Sequence, residues 1–351
     1  MELALYCPVY GYYEMERDTL GRRGDFYTSV GVGPLFGQML AFQFAEWRAG
    51  WAIAGCRLRI VEAGAHDGKL AADILSWLRQ RRTNIFDELE YCIIEPSERR
   101  TRWQGETLIG FGNKIRWLAN ISDLDNRQSA IGNRQFTIIF SNELLDAFPV
   151  QRLGWDAKNK TWFEWGVTME GERFVWARMP QSKIPNSKFR IPNLPGDLLM
   201  VLPDGFTTEI CPAAENWWRV AAESLRCGKL LTFDYGLTAE EFFKPERSRG
   251  TLRAYQRHHV SDDLLANVGG QDLTAHVNFS AIQSAGEAAG LKTEAFVTQS
   301  KFLTQIAEKI WKARTGFDDW TPAHTRQFQT LTHPEHLGRP FRVLVQSRFD
   351  G

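Results

Sequence analysis

The sequence predicts an α/β fold in which a mostly parallel sheet carries helices on both faces. Short runs rich in β-branched residues alternate with longer segments of helical periodicity, which is the pattern of strands joined by crossover helices. The chain has 351 residues, enough for one large domain with insertions or for two domains. Hydrophobic residues make up 43% and charged residues 24%, the balance of an ordinary globular protein.

Five short apolar runs are predicted as strands of this sheet. In chain order they are residues 57–63, 89–95, 114–119, 136–142 and 229–236. Between the first two, Leu70, Ile74 and Leu78 share one face of a predicted helix over 68–80. The segment 34–48 is apolar on most faces and begins with a proline, which suits the first helical turn, so we expect a largely buried helix.

The C-terminal third predicts one more helix and two more strands. Residues 278–290 form the helix, with Ser280 as N-cap and Gly290 at its C-terminal end. Residues 293–299 and 341–349 alternate as strands do, and we expect an edge hairpin or an antiparallel pair that closes the sheet.

The regular alternation breaks once, which divides the chain into three parts. Residues 1–150 hold an N-terminal segment and the cofactor-binding half of the main domain. Residues 151–206 contain short antiparallel strands and predict an inserted β-rich lobe. Residues 207–351 form the second half of the domain, with a helical insertion at 301–330.

Charge and cysteine content limit the possible binding partners and the cellular compartment of the protein. Lys plus Arg and Asp plus Glu number 42 each, so no long-range field attracts nucleic acid or an anionic membrane. The 5 cysteines are scattered, which favours reduced thiols over disulfides or a zinc site. No apolar run approaches the roughly 18 residues of a membrane helix, and the first residues lack the pattern of a signal peptide. We expect a cytoplasmic protein without membrane insertion.

The stretch "IVEAGAHDGKLAADIL" reads as a buried strand, a turn with two glycines and a helix. Gly64 permits a tight turn, and Gly68 allows close backbone approach at the start of the helix. A dinucleotide fold carries G-x-G-x-x-G and an acid about 20 residues later. The spacing from Glu62 through Gly64 to Gly68 favours S-adenosylmethionine, which has no pyrophosphate to bind. Short glycine motifs also occur in ordinary loops, and His66 is interpreted as a loop side chain.

A second acid supports the nucleotide-like cofactor. Glu95 ends the next predicted strand, where its carboxylate can accept hydrogen bonds from both ribose hydroxyls. Together with Glu62 and the strand, turn and helix around it, Glu95 favours a cofactor over an ordinary loop.

A cluster of polar side chains follows the fourth predicted strand. Asn142, Glu143 and Asp146 come at its carboxyl end, the edge where ligands bind in open α/β sheets. Carboxylates there can hold a cationic acceptor such as guanidinium, or take up the proton lost on methylation. The alternative is that Glu143 and Asp146 cap the next turn.

Histidines offer weaker candidates. His276 predicts either a general base near neutral pH or a hydrogen-bonded structural residue. The segments "RHH" at 257–259 and "HPEH" at 333–336 lack the H-E-x-x-H form, and no metal site is predicted.

Many ordered blocks give the chain a family resemblance, from Leu3 to about Gln346. They are "LALYCPVYGYY", "RGDFYTS", "LFGQMLAFQ", "VEAGAHDGKLAADIL", "IIEPSERR", "SNELLDAFPVQRL", "FDYG", "GTLRAYQRH" and "DLTAHVNF". Their order and composition resemble the MidA-like family of SAM-dependent methyltransferases, which includes bacterial members and mitochondrial complex I assembly factors.

The resemblance implies a class I methyltransferase fold, a Rossmann-like, mostly parallel seven-stranded sheet that binds S-adenosylmethionine at its carboxyl edge. It also implies protein arginine N-methylation, and hence a protein substrate. The cofactor residues implied by position are Gly24, Asp25, Phe26, Thr28, Gly64, Gly68, Glu95 and Asn142, and the strand and turn pattern adds Glu62. The resemblance matches Glu143 and Asp146 to an acidic segment of the family and makes Asp234, Tyr235, Asp272 and His276 further pocket walls. The candidate catalytic residues are Glu143, Asp146 and His276.

Two departures accompany the resemblance. Many members carry Gly-Pro-Gly-Arg-Gly where this chain has "GAHDG", so His66 takes the middle glycine position and Asp67 the arginine position. The turn must therefore accept a side chain. The chain also starts inside what is normally the first helix of the family, so we expect the natural N-terminus upstream of Met1.

The hypothesis is a SAM-dependent methyltransferase that modifies an arginine of a protein partner. Two rivals stay open: a SAM-binding assembly factor without turnover, and a methyltransferase that acts on a small molecule. The sequence also leaves open whether the chain forms a homodimer.

Overall fold

The structure, a computed structural model, describes residues 1–15, 28–51, 56–124, 135–179, 196–256, 259–261, 263–313, 317 and 319–349. Its strands are β1 (Arg57–Ala63), β2 (Glu90–Ile94), β3 (Ile115–Leu118), β4 (Gln135–Asn142), β5 (Gln151–Asp156), β6 (Thr161–Glu170), β7 (Arg173–Arg178), β8 (Thr207–Ile210), β9 (Gly228–Leu237), β10 (Arg253–Gln256), β11 (His259–Ser261), β12 (Asp272–Thr274), β13 (Val277–Asn278), β14 (Lys292–Thr298) and β15 (Phe341–Arg348).

Its α-helices are α1 (Glu2–Tyr6), α2 (Ser29–Val32), α3 (Leu35–Ala49), α4 (Lys69–Arg81), α5 (Thr83–Glu88), α6 (Glu98–Thr107), α7 (Gly196–Val201), α8 (Pro212–Ser224), α9 (Ala239–Phe242), α10 (Phe279–Ala288), α11 (Gln299–Ala313) and α12 (Pro322–Thr332). Among the described residues, no helix is both long and apolar enough to span a membrane.

The main sheet has the predicted mixed topology. Its strand order is β14-β15-β9-β4-β1-β2-β3, and the short strand β13 pairs with the end of β9. The neighbours from β9 to β3 are parallel, whereas β15 is antiparallel to both β9 and β14. This confirms the mostly parallel sheet of the class I methyltransferase fold, with β14 and β15 as the predicted antiparallel pair.

The strand β1 lies at the centre of the sheet and sets the position of the candidate site. Ala63 at its end pairs with Ile94 of β2 on one side and with Ser141 of β4 on the other. Since all three strands run in the same direction, the segments that follow them emerge at one edge. This register brings the backbone of Gly64 and the side chains of Glu95 and Glu143 to that edge.

By internal contacts the chain divides into two compact units, which we call the first and second unit. The first unit comprises Met1–Phe26, Leu145–Asn216 and Gly236–Ile282. The second unit comprises Tyr27–Leu144, Trp217–Tyr235 and Gln283–Gly351.

The second unit has an apolar core between its sheet and the helices α3 and α4. The rings of Phe36 on α3 and Phe233 on β9 meet edge to face with centroids 5.3 Å apart. An added Cβ on Gly37 would lie 2.6 Å from the Cβ of Asp73 on α4, so glycine lets these two helices approach closely. Burial of each such aromatic side chain stabilises the fold by about 1.5–3 kcal/mol.

The first unit contains two smaller antiparallel sheets. One has the order β7-β6-β5-β8, and its first three strands lie within the span predicted as the inserted lobe. The other has the order β11-β10-β12. Helix α1 packs Leu5 against this second sheet, beside Leu252 and Leu273. The domain boundaries predicted from the sequence stay a prediction.

The start of α10 differs from the predicted one. The helix begins at Phe279, and the Oδ1 of Asn278 accepts a hydrogen bond from the N–H of Ala281 at 3.1 Å. Asn278 therefore caps the helix in place of Ser280, since asparagine and serine are equally good caps. The hydroxyl of Ser280 instead accepts a hydrogen bond from the N–H of Ala239 at 3.0 Å.

Candidate functional site

The turn after β1 depends on two glycines. Gly64 has φ +75° and Gly68 has φ +82°, both in the left-handed region that favours glycine. A Cβ on Gly64 would also lie 2.9 Å from the Cδ1 of Leu144. The N–H of Gly68 donates to the carbonyl of Ala65 at 2.7 Å and closes the turn. The backbone of the turn is therefore tightly constrained at the carboxyl edge of the sheet.

His66 occupies the turn in a left-handed conformation, with φ +48°. This conformation costs a residue with a Cβ about 1 kcal/mol or more, although histidine adopts it more readily than β-branched residues do. The neighbouring Asp67 accepts a hydrogen bond from the N–H of Lys69 at 3.0 Å, within the first turn of α4. The turn thus accommodates the side chain of His66 in the same left-handed region that Gly64 and Gly68 adopt.

Glu62 is buried at the end of β1, with 2% of its surface exposed. The hydroxyl of Tyr91 on β2 donates to its Oε2 at 2.5 Å. Burial raises the pKa of Glu62 to about 7, and the hydrogen bond from Tyr91 opposes this increase. The pKa of this carboxyl group is therefore well above that of an exposed glutamate.

Glu95 is fixed at the end of β2 by two hydrogen bonds. Its Oε1 accepts from the N–H of Ser97 at 2.9 Å, and its Oε2 accepts from the Nε2 of Gln104 at 3.0 Å. These bonds orient both oxygens of the Glu95 carboxylate.

Gln104 was not predicted from the sequence. It lies on α6, is fully buried, and also donates to the carbonyl of His66 at 3.0 Å. Its segment, "ERRTRWQGET", reads as a polar helix surface, and only the tertiary structure shows that the amide faces inward. Gln104 therefore joins the glycine turn to the acid at the end of β2.

Glu143 follows β4 in a left-handed conformation, with φ +53°. Its N–H donates to the carbonyl of Phe233 at 2.8 Å, which continues the pairing with β9. Its Oε1 accepts from the Nδ2 of Asn142 at 3.0 Å and from the N–H of Ser29 at 3.2 Å. Strained backbone of this kind is concentrated at functional sites.

Asn142 supplies an acceptor atom at the same edge. Its Oδ1 is buried and has no hydrogen-bond partner among the residues that the structure describes. A buried polar atom without a partner is costly, and a bound ligand can satisfy it.

The N-terminal segment is placed only in part. Thr28 is buried and caps α2, with its hydroxyl accepting from the N–H of Gly31 at 3.1 Å. The hydroxyl of Ser29 donates to the Oε1 of Gln299 at 3.2 Å. Three predicted cofactor residues lie outside the described residues: Gly24, Asp25 and Phe26.

Asp146 belongs to the first unit, in a 3-10 helix over Leu145–Ala147. Its charge acts on a carboxylate and tyrosine pair, in which the hydroxyl of Tyr13 donates to the Oδ2 of Asp272 at 3.0 Å. Burial, followed by the charge of Asp272 and a smaller effect of Asp146, raises the pKa of Tyr13 well above its ordinary value. The ring of Tyr6 lies 5.5 Å from that of Tyr13. The first unit therefore combines two carboxylates with tyrosine rings.

His276 also belongs to the first unit. Its backbone N–H donates to the Oγ1 of Thr251 at 3.2 Å. Burial lowers the pKa of the imidazole to about 4, and the charges of Arg247 and Arg253 contribute to the decrease. A general base works best with a pKa near the operating pH, so this imidazole is a weak base at neutral pH. The catalytic role of His276 stays a prediction that its pKa weighs against.

The remaining predicted wall residues are part of the sheet. Asp234 is fully buried in β9, and its Oδ1 accepts from the N–H of Tyr235 at 2.8 Å. The ring of Tyr235 packs on Phe341 with centroids 4.4 Å apart. The described residues contain no group of three or more side chains suited to a metal ion, and of the segment "RHH" they include only His259.

Comparison with known proteins identifies the family of this chain. The family described as "Putative S-adenosyl-L-methionine-dependent methyltransferase" matches residues 39–297. The chain belongs to this family. The predicted resemblance is thereby confirmed, and the protein is a methyltransferase that uses S-adenosylmethionine. The constrained glycine turn, the fixed carboxylate of Glu95 and the buried acceptor of Asn142 fit this cofactor.

Relatives match the chain over nearly all of its length. One is the "Protein arginine methyltransferase NDUFAF7 homolog, mitochondrial" of Drosophila melanogaster, 27% identical over 98% of this chain and 79% of that protein. The human "Protein arginine methyltransferase NDUFAF7, mitochondrial" is 26% identical over 100% of this chain and 80% of that protein. A crystal structure from Burkholderia thailandensis with bound S-adenosyl-homocysteine is 31% identical, with TM-score 0.79, and covers 100% of this chain and 87% of that one.

The expected cytoplasmic location is wrong. The relatives from fly, frog and human are mitochondrial proteins by name. Scattered cysteines favour a reducing compartment but do not distinguish one reducing compartment from another, which is why the prediction from composition was wrong.

The left-handed conformation of His66 yields a stability prediction. His66→Val should lower the free energy of unfolding by about 1–2 kcal/mol, because a β-branched residue is strained at positive φ. His66→Gly removes the strain and should be at least as stable as the native protein. Urea denaturation of the three proteins measures the difference, and equal stability of the two variants would contradict the assigned backbone conformation.

Proposed function

We propose that this methyltransferase transfers a methyl group to an arginine side chain of a protein partner. The observation that carries the proposal is the match, over nearly the whole chain, to relatives named protein arginine methyltransferases. The predicted absence of a nucleic-acid partner and the homodimer left open by the sequence stay predictions.

The second unit is proposed to hold the cofactor. S-adenosylmethionine supplies an electrophilic methyl group attached to a sulfonium. Glu95 would accept the ribose hydroxyls, since both of its oxygens are already oriented by the protein. Glu62 would face the ammonium group of the cofactor, and Gly64 and Gly68 would let the backbone approach it. Asn142 would use its buried Oδ1 as a further acceptor.

Carboxylates are proposed to act on the acceptor. A guanidinium group is planar and cationic, and carboxylates bind it with two parallel hydrogen bonds. Within the first unit, Asp146 and Asp272 are the carboxylates assigned to this task, and the tyrosine rings beside Asp272 suit the flat cation. Glu143, in the second unit, stays a predicted catalytic residue. The guanidinium nitrogen loses a proton when it gains a methyl group, and Asp146 would take up that proton.

Labelling of a cell lysate tests the proposed acceptor. The purified protein is incubated with S-adenosylmethionine that carries a labelled methyl group, and labelled bands are digested for mass spectrometry. We expect label on arginine of a discrete protein. Label only in the small-molecule fraction would instead indicate a small-molecule acceptor, and no label anywhere would indicate a binding protein without turnover.

Two substitutions separate cofactor binding from turnover. Glu95→Ala should weaken S-adenosyl-homocysteine binding about tenfold or more, since hydrogen bonds to a charged group are worth about 1.5–3 kcal/mol. Asp146→Ala should leave this affinity unchanged and lower kcat by about 10²–10⁴-fold, the usual effect of losing a positioned acid or base. Isothermal titration measures the affinity, and a steady-state methylation assay measures kcat.

The control for both variants is Glu106→Ala, which removes an exposed acid on α6. It should change neither affinity nor turnover. The reverse pattern, with Asp146→Ala losing affinity and Glu95→Ala losing only turnover, would exchange the assigned roles.

The raised pKa of Glu62 predicts a pH dependence of binding. The free carboxyl group has a pKa of about 7, and a bound ammonium group would lower it by favouring the ionised form. Binding of S-adenosyl-homocysteine between about pH 6 and 7 should therefore release a proton. Affinity should increase as the pH is raised toward 7 and level off above it, where the free carboxyl group is already ionised.

Titration calorimetry in buffers of different ionisation enthalpy counts the released protons. Glu62→Gln cannot ionise and should abolish the release. A release of the same size in Glu62→Gln would assign the proton to another group.

A further inference from the structure

We infer that Gln104 is a positioning residue that locks the glycine turn to the ribose-binding acid. The inference rests on the proposed role of Glu95 in holding the cofactor. Gln104 would not touch the cofactor itself. It would act through the two segments that do, the turn at His66 and the carboxylate of Glu95.

Gln104 forms hydrogen bonds with residues at the ends of three separate strands. Its Nε2 donates to the carbonyl of His66, after β1, and to the Oε2 of Glu95, after β2, both at 3.0 Å. Its Oε1 accepts from the Nε1 of Trp117 on β3 at 2.9 Å. One fully buried amide therefore connects the ends of three parallel strands.

The chemistry of the partners fixes the orientation of this amide. An indole N–H can only donate, whereas a backbone carbonyl and a carboxylate can only accept. If the amide were rotated by half a turn, all three contacts would oppose like groups. The indole of Trp117 thus holds Oε1, and both hydrogens of Nε2 are directed at the cofactor-binding segments.

The contact matters because the turn is strained. A residue in the left-handed region persists only where its surroundings determine its conformation, and His66 has φ +48°. The bond from Gln104 to the carbonyl of His66 supplies such a determinant. The same nitrogen sets the direction of Glu95, so the turn and the acid cannot move independently.

Gln346 provides a matched control within the second unit. It is also fully buried, and its Oε1 accepts from the Nε1 of Trp218 at 2.8 Å. Its Nε2 donates to the carbonyl of Gln283 and to the Oγ1 of Thr293, both at 2.9 Å. Gln346 pairs with Leu230 near the start of β9, at the edge of the sheet opposite to the candidate site. Leucine at either position removes one accepted and two donated hydrogen bonds, one of which goes to a carboxylate at Gln104 and to a hydroxyl at Gln346.

The experiment compares S-adenosyl-homocysteine affinity and melting temperature of Gln104→Leu and Gln346→Leu. We expect both variants to lose a similar amount of thermal stability. Only Gln104→Leu should weaken binding, by about tenfold or more, the fold-change of one lost hydrogen bond to a charged group. An equal loss of affinity in both variants would overturn the inference, because it would reflect general destabilisation.

A double-mutant cycle with Glu95→Ala tests the route of the effect. Gln104→Leu should weaken binding by a smaller factor in the Glu95→Ala background than in the native protein, since the effect through that carboxylate is already lost and only the effect through the turn at His66 remains. An unchanged effect in the Glu95→Ala background would overturn the inference. Native affinity in Glu95→Ala alone would instead refute the ribose role of Glu95, so the two failures are distinguishable.

Gln104→Glu keeps the size of the side chain and the acceptor for Trp117, which covers the case that Gln104→Leu does not fold. Two carboxyl groups this close cannot both ionise, so one keeps a proton and Glu95 loses its fixed amide donor; affinity should fall, and should fall further as the pH is raised and the remaining proton is lost. Native affinity in folded Gln104→Glu would overturn the inference.

Discussion

Strand β1 hydrogen-bonds in parallel to β2 on one side and to β4 on the other, and the candidate site depends on this register. Because Ala63 pairs with both Ile94 and Ser141, the chain leaves all three strands at the same level. The glycine turn, Glu95 and Glu143 are therefore neighbours along one edge although they are far apart in sequence. A shift of one strand by a single residue would turn these side chains to the other face of the sheet.

Backbone conformation at this edge is held in costly states. Two residues with side chains, His66 and Glu143, have positive φ, and each is tied by hydrogen bonds to segments outside its own turn. Hydrogen bonds from the surrounding structure thus offset the conformational cost and keep carboxylates and carbonyls oriented before a ligand binds. A binding site organised in advance loses less free energy when the ligand becomes ordered.

Much of the fold could be predicted because strands and helices leave periodic patterns in the sequence. The strand predicted at 57–63 is β1, and the helix predicted at 68–80 is α4 to within a residue. Glycines with positive φ and acids at strand ends are also local signals, which is why Gly64 and Glu95 could be singled out. The position of β15 between β14 and β9 could not be predicted, because its alternating pattern is equally compatible with a strand at the edge of the sheet.

The features that could not be predicted arise from tertiary contacts. Gln104 lies in a segment of polar composition, and its burial follows from the packing of α6 on the sheet. The low pKa of His276 and the raised pKa of Glu62 have burial as their largest cause, which no short motif encodes.

Strand β15 is antiparallel to both of its neighbours in the sheet. Thr298 ends β14 beside Arg342, and Phe341 lies opposite Tyr235, so the chain leaves β14 and enters β15 at the carboxyl edge of the parallel strands. Helices α11 and α12 lie between these two points in the sequence, and a change in their length would leave the pairing of β14, β15 and β9 intact.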